Sequence, residues 1–269
     1  MNERLHGWVA RLAERVAYEV WHNAPPPQRQ QYADIALLAT RYGCSGLVAS
    51  ELQVFSQNGE DGVLQEIFKR IGTTNEYFVE FGVEDGIECN TRFLAEILGW
   101  SGLYLEPDDV GHAALSARLA GRGEIAIVKA AVTPDNVNEL FADGPPEPDL
   151  VSIDVDGQDY WIWEALIARP RVVVIEYNSS LAPGASLVEP KGRPWQARKT
   201  TYFGASRDAL VALGERKGYR LVHAELAGVN LFFVRDDLAG GFEPASWRGM
   251  NFGLAGGRHP PATGDYVKV

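Results

Sequence analysis

The chain has 269 residues, of which 46% are hydrophobic, enough to bury a full core as one α/β domain with accessory segments. A formal net charge of -11 argues against a nucleic-acid backbone or an anionic membrane surface as the main partner, and leaves a small molecule as the expected substrate. The two cysteines, Cys44 and Cys89, lie far apart without metal-ligand spacing, so neither a disulfide scaffold nor a zinc site is indicated and a reducing cytoplasm fits.

Residues 1–50 read as a helical N-terminal extension. Leu5, Trp8, Val9, Leu12, Val16 and Val20 recur at helical spacing, Pro25-Pro26-Pro27 interrupts them, and a second helix runs toward Tyr42. Glu3, Arg4, Arg11, Glu14 and Arg15 break the apolar run, so neither export nor membrane anchoring is expected. The extension would cap a site, carry a homo-oligomer contact or pack as a plain appendage.

From Glu60 the pattern alternates: a helix with Val63, Leu64, Ile67 and Phe68, a strand at 77–81, a helix at 91–98, a strand at 102–105 and a helix at about 109–120. A strand from Ile125 to Val128 and a short helix capped by Thr133 with Pro134 at its first position come next. The strand Leu150 to Ile153, a helix around Tyr160 to Ala168 and the strand Val172 to Ile175 complete the alternation. Parallel strands joined by helical crossovers make a Rossmann-like, doubly wound sheet. Tyr219 to Val222 and Asn230 to Val234 are joined by a short glycine-containing loop and read as a hairpin, so one antiparallel strand closes the sheet. Residues 51–240 are thus the main domain and 241–269 a tail packing on it, with Trp247, Met250, Phe252 and Leu254 over its rim.

The turn Glu80-Phe81-Gly82-Val83-Glu84-Asp85-Gly86 carries most of the chemistry. Tyr77-Phe78-Val79 enters it as a buried strand, and Gly82 and Gly86 allow a tight bend close to a ligand. A dinucleotide site would place a glycine where Glu84 stands, because pyrophosphate needs bare backbone amides at a helix N-terminus. A carboxylate there repels pyrophosphate but suits a cofactor with a sulfonium and an ammonium group, S-adenosylmethionine. Glu106, ending the next strand, is then placed to accept both ribose hydroxyls. The alternative is a strand-turn-helix with solvated acids.

Asp154 and Asp156 leave the fourth strand, Glu176 and Asn178 the fifth, and neighbouring strands lie about 5 Å apart. Their oxygens can converge on Mg²⁺, Mn²⁺ or Ca²⁺, which would hold two substrate oxygens and acidify an acceptor hydroxyl. Without metal, Asp154 and Asp156 would form a hydrogen-bonded turn and contact the cofactor ammonium or the substrate. Candidate bases are Asp156, Asp159 and His223, although a lone strand histidine is more often structural. Ser179 to Thr201 has few periodic apolar residues and concentrates Lys191, Arg193, Arg198 and Lys199 around Trp195. It is the candidate substrate loop, able to meet an anionic group while Trp195 stacks on a ring, or else a solvated basic loop. Trp161 and Trp163 would line the acceptor pocket or belong to the core.

Ser56-Gln57-Asn58-Gly59-Glu60-Asp61, the Glu80 to Gly86 turn, Glu106-Pro107, Ile153 to Gly157 and Gly228 to Phe233 together resemble the FkbM-like class I methyltransferases over roughly residues 51 to 235. The resemblance implies a seven-stranded sheet with its last strand antiparallel, S-adenosylmethionine as donor, and hydroxyls of sugars or secondary metabolites as acceptors. It also implies Gln57 and Glu60 or Asp61 beside the methionine end of the cofactor, with Ala130 and Ala131 bordering adenine. A bland reading of Ser56 to Asp61 is a helix cap with acidic first-turn residues. The expectation is an O-methyltransferase, with or without a divalent metal. An N- or carboxyl-methyltransferase and a non-catalytic cofactor-binding subunit are the alternatives, and a nicotinamide enzyme is disfavoured by Glu84.

Overall fold

The computed structural model describes residues 46–194, 200–243, 245 and 262–269. After a 3₁₀ turn at Leu47–Ser50, the main elements are α1 (Glu60–Ile71), β1 (Tyr77–Phe81), α2 (Arg92–Glu96), β2 (Ser101–Leu105), α3 (Asp109–Arg118) and β3 (Ile125–Val128). They continue as α4 (Val137–Leu140), β4 (Leu150–Ile153), α5 (Asp159–Ala165), β5 (Val172–Glu176), β6 (Leu187–Val188), α6 (Arg207–Lys217), β7 (Tyr219–Ala224), β8 (Asn230–Arg235) and β9 (Val267–Lys268).

Seven strands form one sheet in the order β3-β2-β1-β4-β5-β8-β7, with β6 and β9 paired separately. The strands β1 to β5 pair in parallel, and β8 runs antiparallel to both β5 and β7. This is the expected Rossmann-like, doubly wound sheet with its last strand antiparallel. That strand, β8, lies between β5 and β7 and is antiparallel to both.

Side chains alternate across the sheet, and helices cover both faces, which is why the parallel strands read as unbroken apolar runs. Phe78, Tyr104, Leu150, Val172 and Val174 pack on one face against Val63, Leu64 and Ile67 of α1. Val79, Phe81, Val151, Ile153, Val173 and Ile175 pack on the other with Trp163 of α5 and Leu210 and Leu213 of α6. Trp163 is therefore core. The helix α6 escaped the sequence reading although its signals are present: the Ser206 hydroxyl accepts from the Ala209 amide at 3.2 Å, and Gly218 ends it in the left-handed region at φ 81°.

Other boundaries shift for local reasons. The helix expected from Pro134 starts at Val137, because Thr133 and Asn136 first form a turn in which the Thr133 amide donates to Asn136 Oδ1 at 2.7 Å. The helix of residues 159–165 stops before Ala168 as Leu166 turns extended. Leu47, four residues before the expected boundary at residue 51, is buried in the α1-side core, and Val48 beside it is buried too. The rest of the expected N-terminal extension lies outside the described residues, as do Cys44 and the aromatic part of the tail. Near the C-terminus β9 pairs with β6, which joins residues 267–268 to the domain. Among the described residues no helix is long and apolar enough to cross a membrane.

The chain leaves β1 toward β2 and β3 on one side and returns through β4 toward β5 on the other. The crevice of such a sheet opens beyond the carboxyl ends of the two strands where the winding reverses, here β1 and β4.

Candidate active site

A cavity of about 870 Å³ opens at that reversal, beyond the carboxyl ends of the strands. Its described lining includes the carboxylates of Glu84, Asp85, Glu106, Asp108, Asp154, Asp156 and Glu176 and no Lys, Arg or His. A smaller cavity of about 130 Å³, lined in part by Glu80, Asn90 and Asn230, shares Gln57, Gly82, Glu84, Asp85 and Asp154 with it.

The acidic turn forms one wall. Glu84 adopts φ 49°, in the left-handed region, and its amide donates to Glu106 Oε2 at 2.7 Å. The Asp108 amide donates to Glu106 Oε1, also at 2.7 Å. Both oxygens of Glu106 are thus oriented by backbone, and each retains a lone pair for a ligand hydroxyl. In the turn after β1, where a pyrophosphate would sit, the Glu84 amide is engaged by Glu106 and the Gly86 amide donates to Val83 at 2.8 Å; after β2, Asp108 Oδ2 caps α3 by accepting from Val110 and Gly111 at 2.9 Å each. Burial, with Asp85, Asp156, Glu106 and Glu88 nearby, pushes the Glu84 carboxyl above its ordinary range.

The predicted cofactor residues divide. Gln57, Gly82, Glu84, Glu106, Ala130, Ala131 and Asp154 line the main cavity, the two alanines beside Leu105 and Val132. Glu80 lies in the smaller one, where its carboxylate accepts from the Asn90 and Thr91 amides and the Thr91 hydroxyl, at 2.9, 3.1 and 2.5 Å, and positions the start of α2. Burial pushes its pKa up to about 7. Gly86 lines neither cavity: a Cβ there would lie 2.3 Å from Arg118 Nη2 and 2.4 Å from Leu115 Cδ1, so its bareness serves the packing of α3. Gly82 is required by the fold as well, since a Cβ would fall 1.8 Å from the Asp154 carbonyl oxygen.

Carboxylates from α1 hold the Gln57 loop from behind. Asp61 Oδ2 accepts from the amides of Val54, Phe55 and Ser56 and from the Ser56 hydroxyl, all at 2.7–2.8 Å. Glu60 accepts from the Asn58 amide at 2.8 Å and from Asn230 Nδ2 at 2.9 Å. Neither acid lines a cavity, so their task is to present Gln57, and the helix cap itself is Gly59.

The second wall carries the acids after β4 and β5. One carboxylate oxygen each of Asp154, Asp156 and Glu176 lies within 4.8 Å of the others. Burial, followed by mutual repulsion, pushes the Asp154 and Glu176 carboxyls well above their ordinary range. Glu176 Oε2 is buried without a hydrogen-bond partner. Three converging carboxyl groups, one of them with an oxygen left buried and unpartnered, fit a hard divalent cation, which would relieve the repulsion.

Asn178 does not join this set. Its Nδ2 donates to Thr201 O, Phe203 O and Tyr266 Oη, each at 2.9 Å, and its Oδ1 accepts from the Ser180 amide at 3.1 Å. It is a buried clamp on the chain beyond β5. His223 is likewise displaced from the predicted role of base: it is 4% exposed, its Nε2 lies 2.8 Å from Glu51 Oε1, and it lines neither cavity. Asp159 accepts from the Val155 amide at 2.8 Å and from the Gly157 amide at 2.9 Å, which ties it to the turn.

Ser180, Thr201, Phe203 and Val229 complete the cavity on the β5 side. Of these, Ser180 and Thr201 fall in the candidate substrate loop and Val229 in the Gly228 to Phe233 motif, while Phe203 carries no signal in the sequence. Trp195, Arg198 and Lys199, the predicted substrate contacts, lie outside the described residues. Of their basic neighbours, Lys191 Nζ sits 5.6 Å from the centre of the Trp161 ring, and Arg193 pairs with Asp265. Trp161 itself donates to the Glu189 carbonyl at 2.7 Å and does not line the cavity.

No family model and no curated protein matches the sequence. Solved structures do match. The N-terminal domain of EvdMO1, solved in the presence of SAH and D-fucose, aligns over 78% of this chain and 98% of its own at 13% identity, with a TM-score of 0.45. Magnesium protoporphyrin IX methyltransferase from Synechocystis PCC 6803 with bound SAH aligns over 77% and 97% at 13% identity, TM-score 0.44. The O-methyltransferase from Bacillus cereus in complex with SAH aligns over 61% and 73% at 17% identity, TM-score 0.35. At such identities and scores, what those proteins bind does not carry over to this chain.

Proposed function

We propose that the chain is an S-adenosylmethionine-dependent O-methyltransferase that modifies a hydroxyl of a small molecule or sugar with the help of a divalent metal ion. The observation that carries this reading is the cavity's acidic character: seven Asp and Glu residues and no Lys, Arg or His among its described lining. Such a cavity repels a pyrophosphate and attracts a ligand bearing a sulfonium and an ammonium group. The volume of about 870 Å³ is ample for a cofactor and a small acceptor together.

The donor supplies an activated methyl group, and a divalent ion would supply charge to acidify an acceptor hydroxyl. Glu106 would hold the ribose hydroxyls, with Ala130 and Ala131 leaving room for adenine and Gln57 and Glu84 facing the charged end. Asp154, Asp156 and Glu176 would hold the metal, and Asp156, the most exposed of the three, is the group best placed to take the hydroxyl proton. Much of the rate would then come from alignment of acceptor oxygen, methyl carbon and sulfur.

Calorimetric titration with S-adenosylhomocysteine, repeated with Mg²⁺ and with chelator, tests this. Binding to S-adenosylhomocysteine but not to NAD is expected. Binding of NAD in preference would overturn the assignment, and turnover indifferent to chelator would remove the metal and favour an N- or carboxyl-acceptor.

A further inference from the structure

We infer that Asp159 is a positioning residue that aims the Asp156 carboxylate into the cavity by holding the backbone on both sides of it. This rests on the metal site of the proposed function. Asp156 is in the left-handed region at φ 55°, a conformation that costs a non-glycine residue about 1 kcal/mol or more and persists only when neighbours enforce it. The enforcing contacts flank it: the Val155 amide donates to Asp159 Oδ1 at 2.8 Å and the Gly157 amide to Asp159 Oδ2 at 2.9 Å. One carboxylate thus holds the Asp154–Val155 peptide and the Asp156–Gly157 peptide, one on each side of the Val155–Asp156 pair.

Gly157 closes the turn. It sits at φ 143°, and a Cβ there would lie 2.7 Å from Glu189 Oε2, so the turn is pressed against a second buried acid and cannot relax outward. Asp159 is 1% exposed and begins α5, so the clamp is anchored on a helix packed into the core. It lines neither cavity, which separates it from the groups that would touch a ligand.

An amide at this position can accept only one of the two bonds, because its NH₂ would face the other amide hydrogen. Mn²⁺ affinity should therefore be measured by titration, in the absence of methyl donor, on the full chain carrying no change, Asp159→Asn, Asp156→Ala or both. Asp159→Asn is expected to weaken Mn²⁺ binding about tenfold or more in the otherwise intact chain, and to add no further loss once Asp156→Ala has been made. Equal loss in both backgrounds, or no loss, overturns the proposal. Should Asp159→Asn fail to fold, Asp159→Ser, which keeps one acceptor, takes its place in the same cycle. A parent chain that takes up no Mn²⁺ sinks the metal site and this proposal together, whereas Mn²⁺ uptake without coupling sinks this proposal alone.

Discussion

Glu106 carries two duties. Its oxygens accept the Glu84 and Asp108 amides at 2.7 Å each, so it shapes the turn as well as facing the cavity. Truncation to alanine would remove both duties at once, whereas Glu106→Gln keeps the size of the side chain and one of the two backbone bonds while turning an NH₂ toward the other amide, so it is the milder change. The expected result is about tenfold or greater weakening of S-adenosylhomocysteine binding by calorimetry, in line with about 1.5–3 kcal/mol for a hydrogen bond to a charged group. Unchanged affinity would remove Glu106 from the ribose site. His223 makes the opposite case. Since Glu51 holds it away from the cavity, His223→Ala should cost about 1–3 kcal/mol in urea denaturation by stripping a buried carboxylate of a partner, while leaving kcat and KM intact. A selective fall in kcat would restore it as a base.

The strand ends concentrate buried acids that the fold does not neutralise. Burial raises Glu80 from 4.5 to about 7 and, at the start of α5, Asp159 from 3.8 to about 6, and lifts Asp154 and Glu176 well above their ordinary values. A carboxyl whose pKa is higher in the folded state holds its proton there after the unfolded chain has released it. Its contribution is complete below the unfolded value and is lost as pH rises through the folded one. The metal-free protein should therefore have a lower Tm at pH 8 than at pH 5.5. A divalent cation displaces those protons, so Mn²⁺ affinity should rise over the same interval. A Tm that climbs steadily from pH 5.5 to 8 without metal would contradict the burial of these acids.

Over larger distances, the C-terminal segment braces the cavity wall. Tyr266 Oη bonds Asn178 Nδ2 and receives the Phe203 amide at 3.2 Å, while β9 pairs with β6 beneath it. The wall that holds Thr201 and Phe203 is thus braced by residues more than sixty positions away. Tyr266→Phe should raise the acceptor KM several-fold and leave S-adenosylhomocysteine affinity unchanged. An equal loss of both would mean that the tail supports the entire crevice rather than the acceptor side.

Strands, crossover helices, the acidic turn and the carboxylates leaving β4 were legible along the chain. They depend on periodicity and on the nearest few residues, and so does α6, whose Ser206 and Gly218 signals were present but passed over. Asn178 and His223 were misassigned because a polar residue near a strand end has two directions in which to point, and the deciding partners, Tyr266 and Glu51, lie far away in sequence. Gly86 was credited to a ligand for the same reason: a bare Cα says that something approaches, not whether it is a cofactor or the side chains of α3. The packing of helices on the sheet settled which acids face a shared cavity and which acids brace a loop from behind. Those outcomes depend on contacts between distant segments, formed when both faces of the sheet are buried, and no local pattern of residues encodes them.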